Sequence, residues 1–243
     1  VPTTTARRNG LTASLEHYST PATRAIYYNT PQNPSGAVFT RSEAEEVAAF
    51  AKKRDLVVIA DEAYEDLVYD GEHVSIAALP GMAERTITAY TLSKTYGMTG
   101  WRVGYAVAHE PFMTALRKIV LYSTNGVSTP IQWAAVQALA VPESAIAARR
   151  EEFRLRRDKL VAGLNELGLE CPVPAGAFYA FPSVAKIHKD SRRAAALLLD
   201  KAHVATIPGV VFGAQGEGCV RFSYSVSPET IDAGLDALRK FLG

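Results

Sequence analysis

One lysine stands where a reaction could be carried out. The run Thr91-Leu-Ser-Lys-Thr-Tyr-Gly-Met-Thr-Gly-Trp-Arg-Val-Gly-Tyr105 places Lys94 just past a short β-prone segment, Arg85 to Tyr90. In an open α/β sheet, ligands bind beyond the carboxyl ends of the strands. The loop carries three hydroxyls (Thr91, Ser93, Thr95), a distal Arg102, and Gly97, Gly100 and Gly104, which let backbone approach a ligand closely. An amine, hydroxyls and a guanidinium around one point suit a phosphorylated aldehyde. The amine can form a Schiff base with a carbonyl, and the guanidinium fork matches two phosphate oxygens. The competing reading is a surface loop with a solvated lysine, because lysines are mostly exposed.

Two further segments carry polar groups at predicted strand ends. Leu56-Val-Val-Ile-Ala60 is an unbroken apolar run, the pattern of a strand buried on both faces of a parallel sheet. It runs straight into Asp61-Glu-Ala-Tyr64, and a carboxylate there is costly without a cationic partner. Helix capping by Asp61 is the alternative. Ala25-Ile-Tyr-Tyr28 is β-prone and ends in Asn29-Thr-Pro-Gln-Asn-Pro-Ser-Gly36, whose prolines, asparagines and glycine make a shaped loop.

The elements that must position these groups follow from local signals. Asn9-Gly10 and Thr20-Pro21 mark turns. Thr40-Arg-Ser-Glu43 is a capping box that opens a helix to about Lys53, with Ala44, Val47 and Ala51 on one face. Val103 to Ala108 follows Arg102 too closely for a crossover helix, so it pairs antiparallel with the strand before Lys94. Pro111 starts a helix with Phe112, Leu116 and Ile119 facing inward, and another helix spans about Pro130 to Ala140. From Glu143 a long helix carries Ile146, Phe153, Leu160, Leu164 and Leu167 at helical spacing. Its other face, Arg149 to Asp158, interleaves arginine with glutamate, which fits a solvated, ion-paired surface better than a nucleic-acid site. The domain boundary is placed on this helix, with domains at 1–145 and 146–243. Beyond it, strands are expected at Ala177 to Phe181, Val204 to Ile207 and Val220 to Tyr224, and a helix at Arg192 to Lys201. A final helix is capped by Ser227, starts at Pro228, and buries Ile231, Leu235, Leu238 and Leu242. The alternation of strands and helices gives an α/β or α+β chain with two unequal lobes.

Composition narrows the function classes. The 243 residues are 48% hydrophobic and carry a net charge of +1, which allows a sizeable core and argues against a dedicated nucleic-acid binder. Cys171 and Cys219 lie far apart without metal-ligand spacing, so a reducing, cytoplasmic setting is expected. No apolar run is long enough for a membrane span, and no charged-then-apolar leader opens the sequence. The five histidines make no ligand set, and Gly213 to Gly218 lacks the order of a dinucleotide fingerprint.

Four segments occur in one order: Asn33-Pro-Ser-Gly36, Asp61-Glu-Ala-Tyr64, Ser93-Lys94 with Arg102-Val-Gly-Tyr105, and Arg221 within Val-Arg-Phe-Ser-Tyr. Together they closely resemble the fold-type I, pyridoxal-phosphate-dependent aminotransferases of class I/II, the aspartate aminotransferase superfamily, from about residue 9 to the C-terminus. The resemblance implies an α/β large domain built on a mostly parallel sheet, incomplete at its N-terminus, and a smaller α+β C-terminal domain. It implies pyridoxal 5'-phosphate on Lys94, with Asp61 on the ring nitrogen. Tyr64 and Asn33 would donate to the phenolic oxygen, and Thr91, Ser93 and Arg102 would hold the phosphate. Arg221 would clamp the substrate α-carboxylate, a bidentate task that suits arginine. Asn33-Pro34 is expected to be cis, and the partners are an amino acid, a 2-oxo acid and a second subunit in a homodimer.

The family's chain also carries a phosphate-cradling helix N-terminus, a ring-stacking aromatic and half of the small domain ahead of this stretch. Their lack implies an incomplete site and exposed apolar faces on the large domain. The segment between Asn9 and Ala25 looks shorter than the family's, and Val210 and Val211 stand where small or hydroxylic residues are common. Two other functions stay open. One is different carbanion chemistry on the same scaffold, such as a C–S β-lyase or a cyclopropane-forming synthase; the other is a non-catalytic sensing domain.

Overall fold

The computed structural model describes residues 10–243. Asn9 lies outside that range, so of its turn only Gly10 is seen, at φ 84°. The described residues fall into two compact units. One runs to Pro31 and resumes from Val38 to Ile146; the other joins Gln32–Ala37 to Ala147–Gly243. The short proline loop therefore belongs with the second unit, which no local signal announces.

The first unit is built on a four-stranded sheet of β1 (Ala25–Asn29), β2 (Val57–Asp61), β3 (Thr86–Thr91) and β4 (Gly104–Ala108), in that order. The first three strands are parallel and β4 runs antiparallel to β3, pairing Thr91 with Gly104. Helices α1 (Leu11–Tyr18) and α2 (Arg41–Lys53) contribute to the core on one side. Thr40 and Glu43 close the expected capping box on α2, each side chain bonded to the other's backbone N–H. Ala44, Val47, Ala48, Phe50 and Ala51 of α2 pack with Tyr28, Val58 and Ala60 of the strands.

The apolar run of β2 is not buried on both faces as its composition suggests. Val58 and Ala60 are fully buried, whereas Ile59 on the opposite face is 38% exposed. Alternation along β2 therefore exposes one face of the sheet, where Tyr27 also lies open. Helices α3 (Glu110–Thr124) and α4 (Thr129–Leu139) begin at prolines near their first turns, as expected. The inward face predicted for α3 does not form: Phe112 and Leu116 are only half-buried and Ile119 is 62% exposed. Inner residues of α4, Ile131, Ala134, Ala135 and Ala138, pack against Leu92, Met98 and Val103 around the lysine loop.

Helix α5 (Glu143–Glu166) passes from the first unit into the second. Ile146, Phe153, Leu160 and Leu164 are buried, while Leu167 lies just past the helix and is half-buried. The predicted ion pairs form, Arg154 with Glu151 and Asp158, and Arg156 with Glu152. Arg157 departs from the solvated face assigned to it. It is 4% exposed, and its guanidinium donates to the Pro174 carbonyl at 2.9 Å and to Asp158 at 2.8 Å. A buried cation with two acceptors is tolerated where an unpaired one is not.

The second unit holds a small antiparallel sheet in the order β5 (Tyr179–Ala180), β7 (Val220–Ser223), β6 (Ile207–Pro208). Helix α6 (Ser191–Ala202) is capped by Asp190, and α7 (Pro228–Leu242) by Ser227. Ile231, Leu235 and Leu238 are buried as their spacing requires, and Leu242 is half-buried at the end. The strand expected over Val204 to Ile207 forms only at Ile207, because ladder pairing to β7 begins there. No helix among the described residues is long and apolar enough to cross a membrane.

Candidate active site

Parallel pairing aligns the strand ends of the first unit. Asn29 sits opposite Asp61, and Asp61 opposite Ala89, so β1, β2 and β3 finish side by side. The segments that leave them carry six of the predicted site residues, Asp61, Tyr64, Thr91, Ser93, Lys94 and Arg102.

Asp61 is half-buried, and both its carboxylate oxygens are engaged. Oδ1 accepts the Ala63 N–H at 3.3 Å, and Oδ2 accepts the Tyr27 hydroxyl. The N-cap alternative is not realised, since Ala63 lies in a turn and no helix follows. Tyr27 was not singled out from the sequence. Its position two residues before the end of the neighbouring strand puts it on the same sheet face as Asp61. Burial, then the Asp61 carboxylate, pushes its phenol up to about 12.

Lys94 Nζ lies 5.7 Å from the centre of the Tyr64 ring, within reach of a cation–π interaction. Tyr64 is buried, so it gives the lysine a fixed wall. The loop is held by its own backbone. Leu92 N–H donates to the Val103 carbonyl at 3.2 Å, Met98 N–H to Leu92, and the Ser93 N–H to the Thr91 hydroxyl at 3.2 Å. Arg102 adopts left-handed backbone at φ 52° and donates to the Thr99 carbonyl at 3.0 Å, while Thr99 donates to the Ser93 carbonyl. These bonds place Ser93 in a buried position and leave Arg102 at the exposed rim. Gly104 is required by packing, since a Cβ there would stand 2.4 Å from the Tyr90 carbonyl oxygen.

A second network lies behind Asp61 and had no sequence signal beyond the acidic composition of the segment. The fully buried Glu62 carboxylate contacts His73 Nε2 at 3.0 Å and accepts the Tyr90 hydroxyl at 3.1 Å. Burial, reinforced by Glu62, raises the Tyr90 phenol well above its usual range. Glu65 is half-buried, and desolvation pushes its carboxyl up to about 8.

The remaining two predicted residues come together in the second unit. Arg221 Nη1 donates to Asn33 Oδ1 at 2.7 Å, although 188 positions separate them in the chain. Arg221 sits at the middle of β7, with its Cζ 4.3 Å from the Tyr179 ring centre and 5.0 Å from that of Phe212. The Asn33-Pro34 bond is cis, and so is Thr30-Pro31, which the sequence reading did not anticipate. Among the described residues no cluster of histidine, cysteine, aspartate and glutamate could hold a metal ion.

Comparison with known proteins places this arrangement. Residues 3–238 match the family model for aminotransferase class I and II. Over 230 residues the chain is 43% identical to a putative aminotransferase, YugH, of Bacillus subtilis, covering 95% of this chain and 60% of that protein. Aromatic-amino-acid aminotransferase 2 of Thermococcus litoralis is also 43% identical, with 94% and 59% covered. The crystal structure of an aromatic aminotransferase from Pyrococcus horikoshii superposes with a TM-score of 0.91 at 41% identity, covering 94% of this chain and 62% of that one. The chain thus spans about 60% of the length of the curated relatives it matches. A family match over nearly the whole sequence makes this chain a member of the class I and II aminotransferases.

Proposed function

We propose that this chain carries the chemical part of a pyridoxal 5'-phosphate-dependent aminotransferase, which moves an amino group between an L-amino acid and a 2-oxo acid. The observation that carries the reading is the Lys94 amine held against the buried Tyr64 ring, on the strand end next to that of Asp61. The donor set suits the cofactor. A half-buried carboxylate at a strand end fits a protonated pyridine nitrogen. Two hydroxyls and a rim guanidinium on one loop fit a phosphate. Bound there, pyridoxal phosphate supplies an electron sink for a carbanion at the substrate α-carbon.

In this reading the chain's own residues do the rest. Asp61 keeps a proton on the ring nitrogen. Tyr64 donates its hydroxyl, and Asn33, whose Oδ1 accepts from Arg221, donates through Nδ2. Thr91, Ser93 and Arg102 hold the phosphate. Lys94 Nζ binds the cofactor in the resting state and, as a free amine, carries the substrate α-proton. Arg221 binds the α-carboxylate. By the same family reading the working unit is a homodimer, and the cysteine usage points to a reducing, cytoplasmic setting.

Because the chain spans only part of its relatives' length, the deciding experiment reads binding rather than turnover. Titration with pyridoxal phosphate followed by borohydride reduction and peptide mass analysis should mark Lys94, and Lys94→Ala should abolish the mark. Labelling spread evenly over other lysines, or an unaltered Lys94→Ala protein, overturns the reading.

A further inference from the structure

The guanidinium of Arg221 is gripped by more than its anion-binding task requires. β7 is the central strand of its sheet, with β5 and β6 on either side. Tyr179 comes from β5, and Phe212 ends the turn Gly209–Phe212 that follows β6. The two rings that contact Arg221 therefore reach it from opposite neighbours of its strand. Phe212 is in turn met edge-on by Phe181, with ring centres 6.2 Å apart at 87°. Asn33 Oδ1 takes one Nη1 hydrogen. Among the described residues no carboxylate pairs with Arg221, and its Nε–H is buried without an acceptor.

A half-buried cation with no counter-ion and an unused donor is costly until an anion arrives. With aromatic rings against the planar group, that anion must come along the guanidinium edge, where two parallel N–H bonds can form. We propose that Phe212, together with Tyr179, is a positioning residue that fixes the plane of Arg221 for edge-on capture of a carboxylate, including the Nε–H that now lacks a partner. This rests on the reading of Arg221 as the carboxylate clamp. The ring face does the work here: it attracts the cation and blocks rotation of its plane, which apolar bulk alone does not do.

The test uses the whole chain with 15N-labelled arginine. The Arg221 Nε–H signal is assigned by its loss in Arg221→Gln, then followed during titration with phenylpyruvate and with 2-oxoglutarate. The wild-type signal shifts on binding. Phe212→Leu weakens the apparent affinity about tenfold, and Phe212→Tyr, which keeps a ring, stays within about twofold of wild type. Wild-type affinity in Phe212→Leu overturns the proposal, and so does equal loss in both variants, because bulk would then be the active property. A second measurement needs no variant: the clamped wild-type guanidinium should show separate Nη signals, and a single averaged signal also overturns it. If Arg221→Gln binds both acids as wild type does, the carboxylate-clamp reading itself fails, whatever Phe212 does. If the wild-type signal responds to neither acid, both fail.

Discussion

Glu65 follows directly on the Asp61 to Tyr64 segment, and its environment sets a pH dependence that belongs to one side chain. Burial is the main reason its carboxyl is pushed up to about 8 from an ordinary value of 4.5, with Asp66, Glu62 and Asp61 adding to the rise. A carboxyl with a raised folded-state value binds more protons folded than unfolded between those two values. Its contribution to stability is therefore complete below the lower value and lost as pH climbs through the upper one. Glu65→Gln cannot ionise. Its melting temperature should gain on that of wild type steadily from about pH 5 to about pH 9. A difference that stays constant across that range would show that Glu65 does not titrate in this way. The same scale explains why Tyr27 and Phe212 escaped sequence reading. Tyr27 meets Asp61 across 34 positions and Phe212 meets Arg221 only through the turn after β6, and an isolated tyrosine or phenylalanine is most often packing.

At the scale of elements, local rules predicted most of what forms. The capping box on α2, the proline starts of α3, α4 and α7, and the antiparallel return of β4 are all short-range events, and each is present. The loop Gln32–Ala37 is one exception. It is tied into the second unit by a bond from the Gly176 N–H to the Gly36 carbonyl at 2.9 Å. At Gly36, φ is 68°, and a Cβ would lie 2.4 Å from Pro174 Cβ and 2.7 Å from the Gly176 carbonyl oxygen. Gly36→Ala thus combines left-handed strain with a backbone clash, and we expect a loss on the order of 2 kcal/mol or more. Chemical denaturation would measure it. Since the same loop carries Asn33, the bond to Arg221 should loosen as well, visible as a shift of the Arg221 side-chain signal. An unchanged midpoint would mean that docking of this loop adds little to stability.

For the whole molecule, the surface is the informative feature. Within the first unit Tyr122 is 87% exposed, Trp133 66% and Ile119 62%, on two helices with no buried residue of their own. Amphipathic spacing favours cover for apolar side chains, and these three stand open to solvent. Exposed apolar side chains promote association. Sedimentation velocity should show mass rising with concentration, and Ile119→Lys with Trp133→Lys should shift the distribution toward monomer. A concentration-independent monomer in the wild type would contradict this.

What the sequence determined by itself was everything carried by neighbours in the chain: the strand-to-loop junctions at Asp61 and Lys94, the caps, and the ordered motifs that resemble one family. What only the tertiary structure decided was the pairing of distant groups. Arg221 with Asn33, Tyr27 with Asp61 and Glu62 with His73 and Tyr90 each need a register between elements that no local signal encodes. Burial was decided in the same way. Arg157 is inside and Ile119 outside because a side chain's exposure depends on what packs over it, whereas periodicity reports only which residues share a face.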